Sequence, residues 1–350
     1  MNAPIDNYFD VMSVQALDVS TATAEQVARE RWGIAGRAKL LTGERDRNFY
    51  FRAEDGREFV LKFANPVEDA ATTDMQIKAL EHIERVDPGM PVPRVVRLLD
   101  GSVETLVPHE TGGIQRVRLL TWLPGVSLKD SRRSAAQRRN LGAALARVGR
   151  ALQGFSHPAQ HHPLIWDMQH ALRLRELLEG MRDPRARGQI ATVFDEFEAR
   201  VMPALPWLRR GVLHNDLNGL NTIMDAADHD QLGGLIDFGD MVETAVIIDV
   251  ATGGPAQLGD DMPEAEAIFH YIAGYHAVTP LTAEEVALLP LMMATRICMG
   301  TVLQSWHRHV QPDNPHYSDI TEERLAARLA MIAGLKSDAV LAAAQRATGR

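Results

Sequence analysis

The chain of 350 residues contains a single cysteine, Cys298. One cysteine excludes an internal disulfide and any zinc site built from several thiolates, and it suits a reducing compartment. Within LMMATRICMG it reads as a small core residue. Positive charge is also scarce: 37 Lys and Arg stand against 46 Asp and Glu, a formal net charge of -9. Non-specific attraction to nucleic acid or to an anionic membrane is therefore not expected, which leaves a small molecule as the expected partner. A cationic amine would be helped by this field, whereas an anion would need local basic groups or a metal. No run approaches the about 20 apolar residues of a membrane span. The first residues, MNAPIDNYFDVMSVQAL, carry no basic segment leading into an apolar stretch. A cytoplasmic protein is the expectation. There is also no internal repeat, no low-complexity segment and no GxGxxG.

What is present is enough apolar residue for a core, 45% hydrophobic against 24% charged, in a length that suits two domains or one large two-lobed unit. TATAEQVARERWG offers Thr23 as an N-cap with Gln26 three residues on, a capping box opening a short helix. AKLLT, NFYFRAE and REFVLKFA are rich in β-branched and aromatic residues, and Asp55-Gly56 predicts a tight hairpin between the second and third. Over 67–86, Met75, Ala79, Ile83 and Val86 fall at helical spacing, and Pro88, Gly89, Pro91 and Pro93 stop the helix. VPRVVRLLD, SVETLVPHE and IQRVRLLTWL read as further strands, closed by Pro124-Gly125. From about 130 the pattern is helical, through SAAQRRNLGAALARVGRALQGF and residues 166–202 to the C-terminus. GVLHNDLNGLNTIM and QLGGLIDFGD interrupt it as short strands with polar loops, a common setting for function. The boundary falls at 123/124, giving lobes of 1–123 and 124–350.

The chemistry sits in those loops. His214, Asp216 and Asn221 form HxDxxxxN, and sixteen residues past Asn221 stands Asp237 in IDFGD. Phosphoryl transfer requires a group to orient and deprotonate an acceptor hydroxyl, and ligands for Mg²⁺ on the nucleotide phosphates. An Asp can take the proton, an Asn offers a neutral oxygen to a hard cation, and a second Asp offers an anionic one. Together and in this order they fit a kinase catalytic loop and metal-binding motif; the alternative is an Asn/Asp-rich turn. Upstream, Lys62 in FVLKFA is placed to reach the α- and β-phosphates of ATP or GTP, or else is a solvated strand residue. TGERDRN would cover the triphosphate through Gly43, Arg45 and Arg47, or is a charged hairpin tip. Around Leu120 and Trp122 in RLLTWLPG, backbone groups could meet a purine edge, unless Trp122 merely packs. A cationic acceptor calls for carboxylates or aromatic faces. Asp240 and Glu243 are the nearest candidates, with Asp249 beyond them and Trp166, Tyr275, Trp306 and His307 as possible walls.

ERDRNFYF with FVLKFANP, VRLLTWLPG, FSHP with IWDM, VLHNDLNGLN, LIDFGDMVETAVIIDVA and AGYHAVTPLTAEEVALL resemble, in order, segments of the aminoglycoside phosphotransferase and choline kinase superfamily. DFGDM, VTPLT and QPDNPHY narrow the resemblance to the hydroxylysine kinases. It implies an α+β, two-lobed protein-kinase-like fold, with a small β-rich nucleotide-binding N-lobe and a larger, mainly helical catalytic C-lobe. It also implies a phosphotransferase with an alcohol acceptor, 5-hydroxylysine foremost, ahead of aminoglycoside, homoserine, choline or ethanolamine. Carried over, Asp216 is the base with His214 bracing its loop, Asn221 and Asp237 bind Mg²⁺, and Lys62 binds phosphate. Two departures stand out. Asn215 replaces the usual glycine of HGD, at a place where Asn tolerates positive φ. Gln76 falls where a Glu normally pairs the lysine, with Glu68 and Glu81 as substitutes. Gln76 and the missing glycine-rich loop also motivate a non-catalytic nucleotide-binding module. The helix expected directly after IDFGDM leaves no room for a protein kinase's activation loop.

Overall fold

Ser20, one turn ahead of the expected capping box, opens the first helix, α1 (Thr21–Trp32): its hydroxyl accepts from the Thr23 N–H at 3.0 Å. Thr23 is thereby left inside the helix, with its hydroxyl 2.8 Å from that of Ser20. The computed structural model describes residues 17–43, 46–109, 112–310 and 320–350. Arg45 and the QPDNPHY segment lie outside the described residues. The chain divides into two units, one running up to Pro124 together with His157–Ala159, the other comprising Gly125–Ser156 and Gln160–Arg350.

The first unit is an antiparallel sheet in the order β1 (Gly36–Leu40), β2 (Arg47–Ala53), β3 (Glu58–Phe63), β6 (Ile114–Thr121), β4 (Val95–Val96), with β5 (Thr105–Pro108) also paired to β6. Alternation decides its faces. Phe49, Phe51, Phe59, Leu61, Phe63, Val117 and Leu119 point one way and form a core with Ala24, Val27, Ala28 and Trp32 of α1. Trp32 is pinned by its indole N–H to the Val96 carbonyl at 2.9 Å. The expected Asp55-Gly56 turn closes β2 to β3, with Gly56 at φ 89. Helix α2 (Ala70–Val86) is capped by Asp69 and buries Met75, Ala79 and Ile83. Val86 is 53% exposed, because the helix ends there, above the core that the preceding turns cover. The excursion at 157–159 joins this unit through His157, whose Nε2 is 3.0 Å from the Asp74 carboxylate on α2.

The second unit is built on helices: α3 (Ala135–Ala151), α4 (Pro184–Arg200), α5 (Val246–Gly253), α6 (Glu264–Val278), α7 (Ala283–Val310), α8 (Glu322–Leu335) and α9 (Asp338–Ala347). α3 packs most extensively on α6. Two glycines allow it: a Cβ on Gly142 would lie 2.0 Å from the Tyr271 carbonyl oxygen, and one on Gly274 1.9 Å from that of Arg139. Residues 168–180, expected to be part of a long helical run, form a 3-10 helix (Met168–Gly180) ahead of α4. By length and composition α7 could cross a membrane, contrary to the expectation from the sequence, but 78% of its apolar window is buried inside the protein. Cys298 lies in that buried stretch, where burial pushes its thiol up to about 12, as a core residue.

Two small sheets break the helices. β7 (Val126–Ser127), β9 (Thr222–Met224) and β10 (Leu232–Leu235) form one, in the order β10-β9-β7. β8 (Arg210–Leu213) and β11 (Val242–Ala245) form the other. β11 corrects the expectation of a helix directly after IDFGDM. Its backbone is claimed by an antiparallel ladder, Val242 opposite Leu213 through to Ala245 opposite Arg210, before α5 begins at Val246.

Candidate active site

β8 delivers the chain into the loop 214–221, and His214 anchors that loop at its start. Its Nδ1 accepts from the Asp216 N–H at 3.2 Å, so its Nε2 carries the proton and donates to the Ile236 carbonyl at 3.1 Å. Full burial lowers its pKa and keeps the imidazole neutral, as that tautomer requires. The ring also stands edge-on to Phe238, centroids 4.8 Å apart. One side chain thus ties the loop to the segment carrying Asp237.

Asn215 adopts φ 62, with its N–H donated to Asp249 on α5 at 2.8 Å. Its side-chain amide is fully buried, and neither Oδ1 nor Nδ2 has a hydrogen-bond partner among the described residues. Each such group costs about 1 kcal/mol or more, whereas glycine takes positive φ freely at an entropic cost of roughly 1 kcal/mol. Asn215→Gly is therefore expected to stabilise the fold by about 1–2 kcal/mol, a rise of several °C in Tm by thermal melting. A lowered Tm would show that the amide is satisfied.

The Asp216 carboxylate is held from two sides. Oδ2 accepts from the Asn221 amide at 2.6 Å and from the Asn218 amide at 2.9 Å, while Oδ1 lies 3.4 Å from Arg296 of α7. Asn218 also uses its Oδ1 to accept from the Asn221 and Leu220 N–H groups, the Asx-turn that shapes the loop. Burial, followed by the negative charges of Asp240 and Asp237, pushes Asp216 up to about 7, with Arg296 opposing the shift. Asp237 stands exposed at φ 60, its Oδ1 accepting from the Gly239 N–H at 3.2 Å. Asp240 is 6% exposed. The Asn221 Oδ1 makes no hydrogen bond among the described residues. No cluster of three or more His, Cys, Asp or Glu arranged for a metal occurs among them either. The donor set of an amide oxygen and an exposed carboxylate, within a field of three carboxylates, fits Mg²⁺, which keeps waters and takes phosphate oxygens as its other ligands.

Glu243 does not join this group. Both its oxygens are taken by Arg210 across the β8–β11 ladder, at 2.9 and 3.0 Å, and His161 lies 3.3 Å away. With its charge satisfied there, it drops out as an acceptor ligand. Tyr275 and His307 are buried, and the Trp306 ring lies tilted at 55° against His307. Trp166 is the aromatic brought towards Asp216, through Arg296, whose guanidinium carbon sits 4.4 Å over the indole. Arg296 and the role of Asp249 were not visible as site residues in the sequence. The signal in each case is one charge inside an apolar run, ATRICM and VIIDVA, where burial without a purpose is costly.

In the first unit, register aligns Asn48, Lys62 and Arg118 across β2, β3 and β6, on the face opposite the α1 core. Lys62 Nζ lies 3.5 Å from the Asp46 carboxylate, which also accepts from the Asn65 N–H at 3.2 Å. Gln76, expected to hold Lys62, instead accepts from Arg118 Nη2 at 2.6 Å. The reason is reach: Arg118 is buried beneath α2 and brings its own donor to the amide, while its Nη1 has no hydrogen-bond partner among the described residues. Asp46 and Arg118 are thus additions to the expected set. At Gly43 a Cβ would meet the Asp46 carbonyl oxygen at 2.6 Å, so this close approach requires glycine. Leu120 is buried within the sheet. Trp122 packs edge-on against Tyr50 and donates its backbone N–H to Glu58, so that group is not free for a base.

Comparison with known proteins agrees with this geometry. Over 335 residues the chain is 25% identical to a hydroxylysine kinase of Danio rerio, covering 92% of this chain and 94% of that protein. It is 30% identical over 271 residues to a homoserine kinase of Beijerinckia indica subsp. indica, covering 72% and 74%. The structure of a microcompartment-associated aminopropanol kinase superposes with a TM-score of 0.69 at 18% identity, over 91% of this chain and 96% of that one, a likeness of kinase-like fold. The model of the phosphotransferase enzyme family, APH, matches residues 37–281, well over half of the chain. A small antiparallel sheet unit, a helical unit and a loop that presents an aspartate between asparagines are thus those of a small-molecule phosphotransferase, and the chain belongs to the APH family.

Proposed function

We propose that the protein transfers the γ-phosphoryl group of ATP or GTP to the hydroxyl of a hydroxylated amine or amino acid, with 5-hydroxylysine the leading acceptor. The observation that carries the reading is the Asp216 carboxylate. One oxygen is fixed by the Asn218 and Asn221 amides, and the other, Oδ1, which meets only the long 3.4 Å contact from Arg296, receives the hydroxyl proton. Asn221 and Asp237 would hold Mg²⁺, which when bound neutralises phosphate charge. Lys62 and Arg118 bind phosphate oxygens, with Asp46 and Gln76 orienting them. Asp240 takes the acceptor's amine.

Lys62→Met is expected to lower kcat/KM for the nucleotide about 10- to 100-fold, the worth of a hydrogen bond to a charged group. Steady-state kinetics at saturating acceptor would show this, and an unchanged value would remove Lys62 from the phosphate site. The reading as a whole is tested by incubating the protein with ATP or GTP, with and without Mg²⁺, against 5-hydroxylysine, homoserine, choline, ethanolamine and an aminoglycoside. Mg²⁺-dependent phosphorylation of the first is expected. Homoserine is the second reading, favoured by the homoserine kinase relative. Nucleotide binding without turnover, unchanged in Asp216→Ala, would mark a non-catalytic module instead.

A further inference from the structure

Arg296 is neither a metal ligand nor a phosphate ligand in this scheme. It projects from the middle of α7, between Thr295 and Cys298, which are fully buried. Its side chain is 15% exposed, so a permanent charge is held here largely out of water. A guanidinium carries five N–H donors. Among the described residues Arg296 makes one hydrogen bond, to Asp216 Oδ1 at 3.4 Å, well beyond the about 2.7–2.9 Å of a tight charge-assisted bond. Its guanidinium carbon lies 4.4 Å over the Trp166 ring, and the chain beside Trp166 is anchored. The next residue, Asp167, is buried and accepts from the Thr244 hydroxyl on β11 at 2.9 Å and from the Gln169 N–H at 3.2 Å.

A guanidinium fork laid on an indole face, with most of its donors unused and next to the oxygen that receives the acceptor's proton, has the geometry that recognises a carboxylate through two parallel hydrogen bonds. It also repels cations. A site meant for amino alcohols or aminoglycosides alone would gain from its surrounding carboxylates and lose from this arginine. We infer that Arg296, seated on Trp166, is the specificity-determining group that binds a carboxylate on the acceptor, so that the enzyme selects hydroxylated amino acids over amino alcohols lacking one. The inference rests on the reading of Asp216 as the base of a phosphotransferase, and it narrows the acceptor class.

The test compares kcat/KM for matched pairs in the wild-type enzyme: 5-hydroxylysine and homoserine, each against the amino alcohol left when its carboxyl group is removed. Loss of a hydrogen-bonded charge pair predicts a preference of at least about 30-fold for the amino acid in the pair that the enzyme accepts. In Arg296→Met that ratio is expected to collapse towards one, with Arg296→Lys in between, since lysine keeps the charge without the fork or the stacking. A wild-type ratio near one overturns the inference without any variant having to fold. So does a ratio kept in Arg296→Met while both members of the pair slow equally, which would place the arginine's action on Asp216. No turnover of any hydroxyl compound would overturn the phosphotransferase reading, and this one with it.

Discussion

Asp216→Ala is expected to lower kcat by about 10²- to 10⁴-fold, the usual worth of a positioned general base, while nucleotide affinity stays within about threefold. Two losses combine in it. The proton acceptor disappears, and the Asn221 amide loses its 2.6 Å bond and keeps the 3.3 Å contact to the Asp216 carbonyl, so a proposed metal ligand loosens. Asp216→Asn separates them in part, since it keeps the side chain's size without its basicity. Both variants are to be assayed at saturating acceptor, with nucleotide affinity measured by calorimetry. Full turnover in Asp216→Asn would assign the base elsewhere.

The second large effect is expected at Asp249. Its carboxylate accepts the N–H of Asn215, the residue at φ 62 that turns the chain into Asp216, and it is 1% exposed. Asp249→Ala leaves that N–H buried without a partner, at about 1–3 kcal/mol, and frees the backbone that aims the base. Loss of stability and of turnover should appear together. Asp249→Asn separates charge from geometry, because its amide oxygen can still accept. Burial holds Asp249 up to about 7, against about 3.9 for an unfolded chain. The folded state therefore binds the proton more tightly. Its stabilising contribution is full below pH about 4 and is lost as pH rises to about 7, on the order of 4 kcal/mol for a shift of about 3 units. Asp249→Asn has no such loss, so it should melt above the wild type at about pH 8, with the gap narrowing steadily and closing only towards about pH 4. Parallel melting curves across that range would show that the charge carries no such cost.

The parts of this protein legible in its sequence are those written in local patterns. Asp55-Gly56 and the alternation of Phe59, Leu61 and Phe63 specify a hairpin and its buried face. The residues around His214, Asp216 and Asn221 lie within eight positions of one another, and the loop brings them together by its own hydrogen bonds. Arg296 reaches Asp216 across 80 positions, by the way helices stack, and no spacing rule encodes that. The partner of Gln76 escapes the sequence for a related reason: helical phase says which face a residue occupies, but not which of two basic side chains on the sheet gets there first. β11 escapes it because VETAVIIDVA suits a strand or a helix equally, and the pairing with β8 decides where one gives way to the other.

The return of the chain at 157–159 has a practical bearing on any attempt to dissect the molecule. A gene fragment cut after Pro124 would encode every strand of the first sheet and still omit part of its own unit, including the imidazole that meets Asp74 on α2. The unit is contiguous in space and not along the chain, so a fragment ending at Pro124 leaves Asp74 without the imidazole it meets in the whole protein.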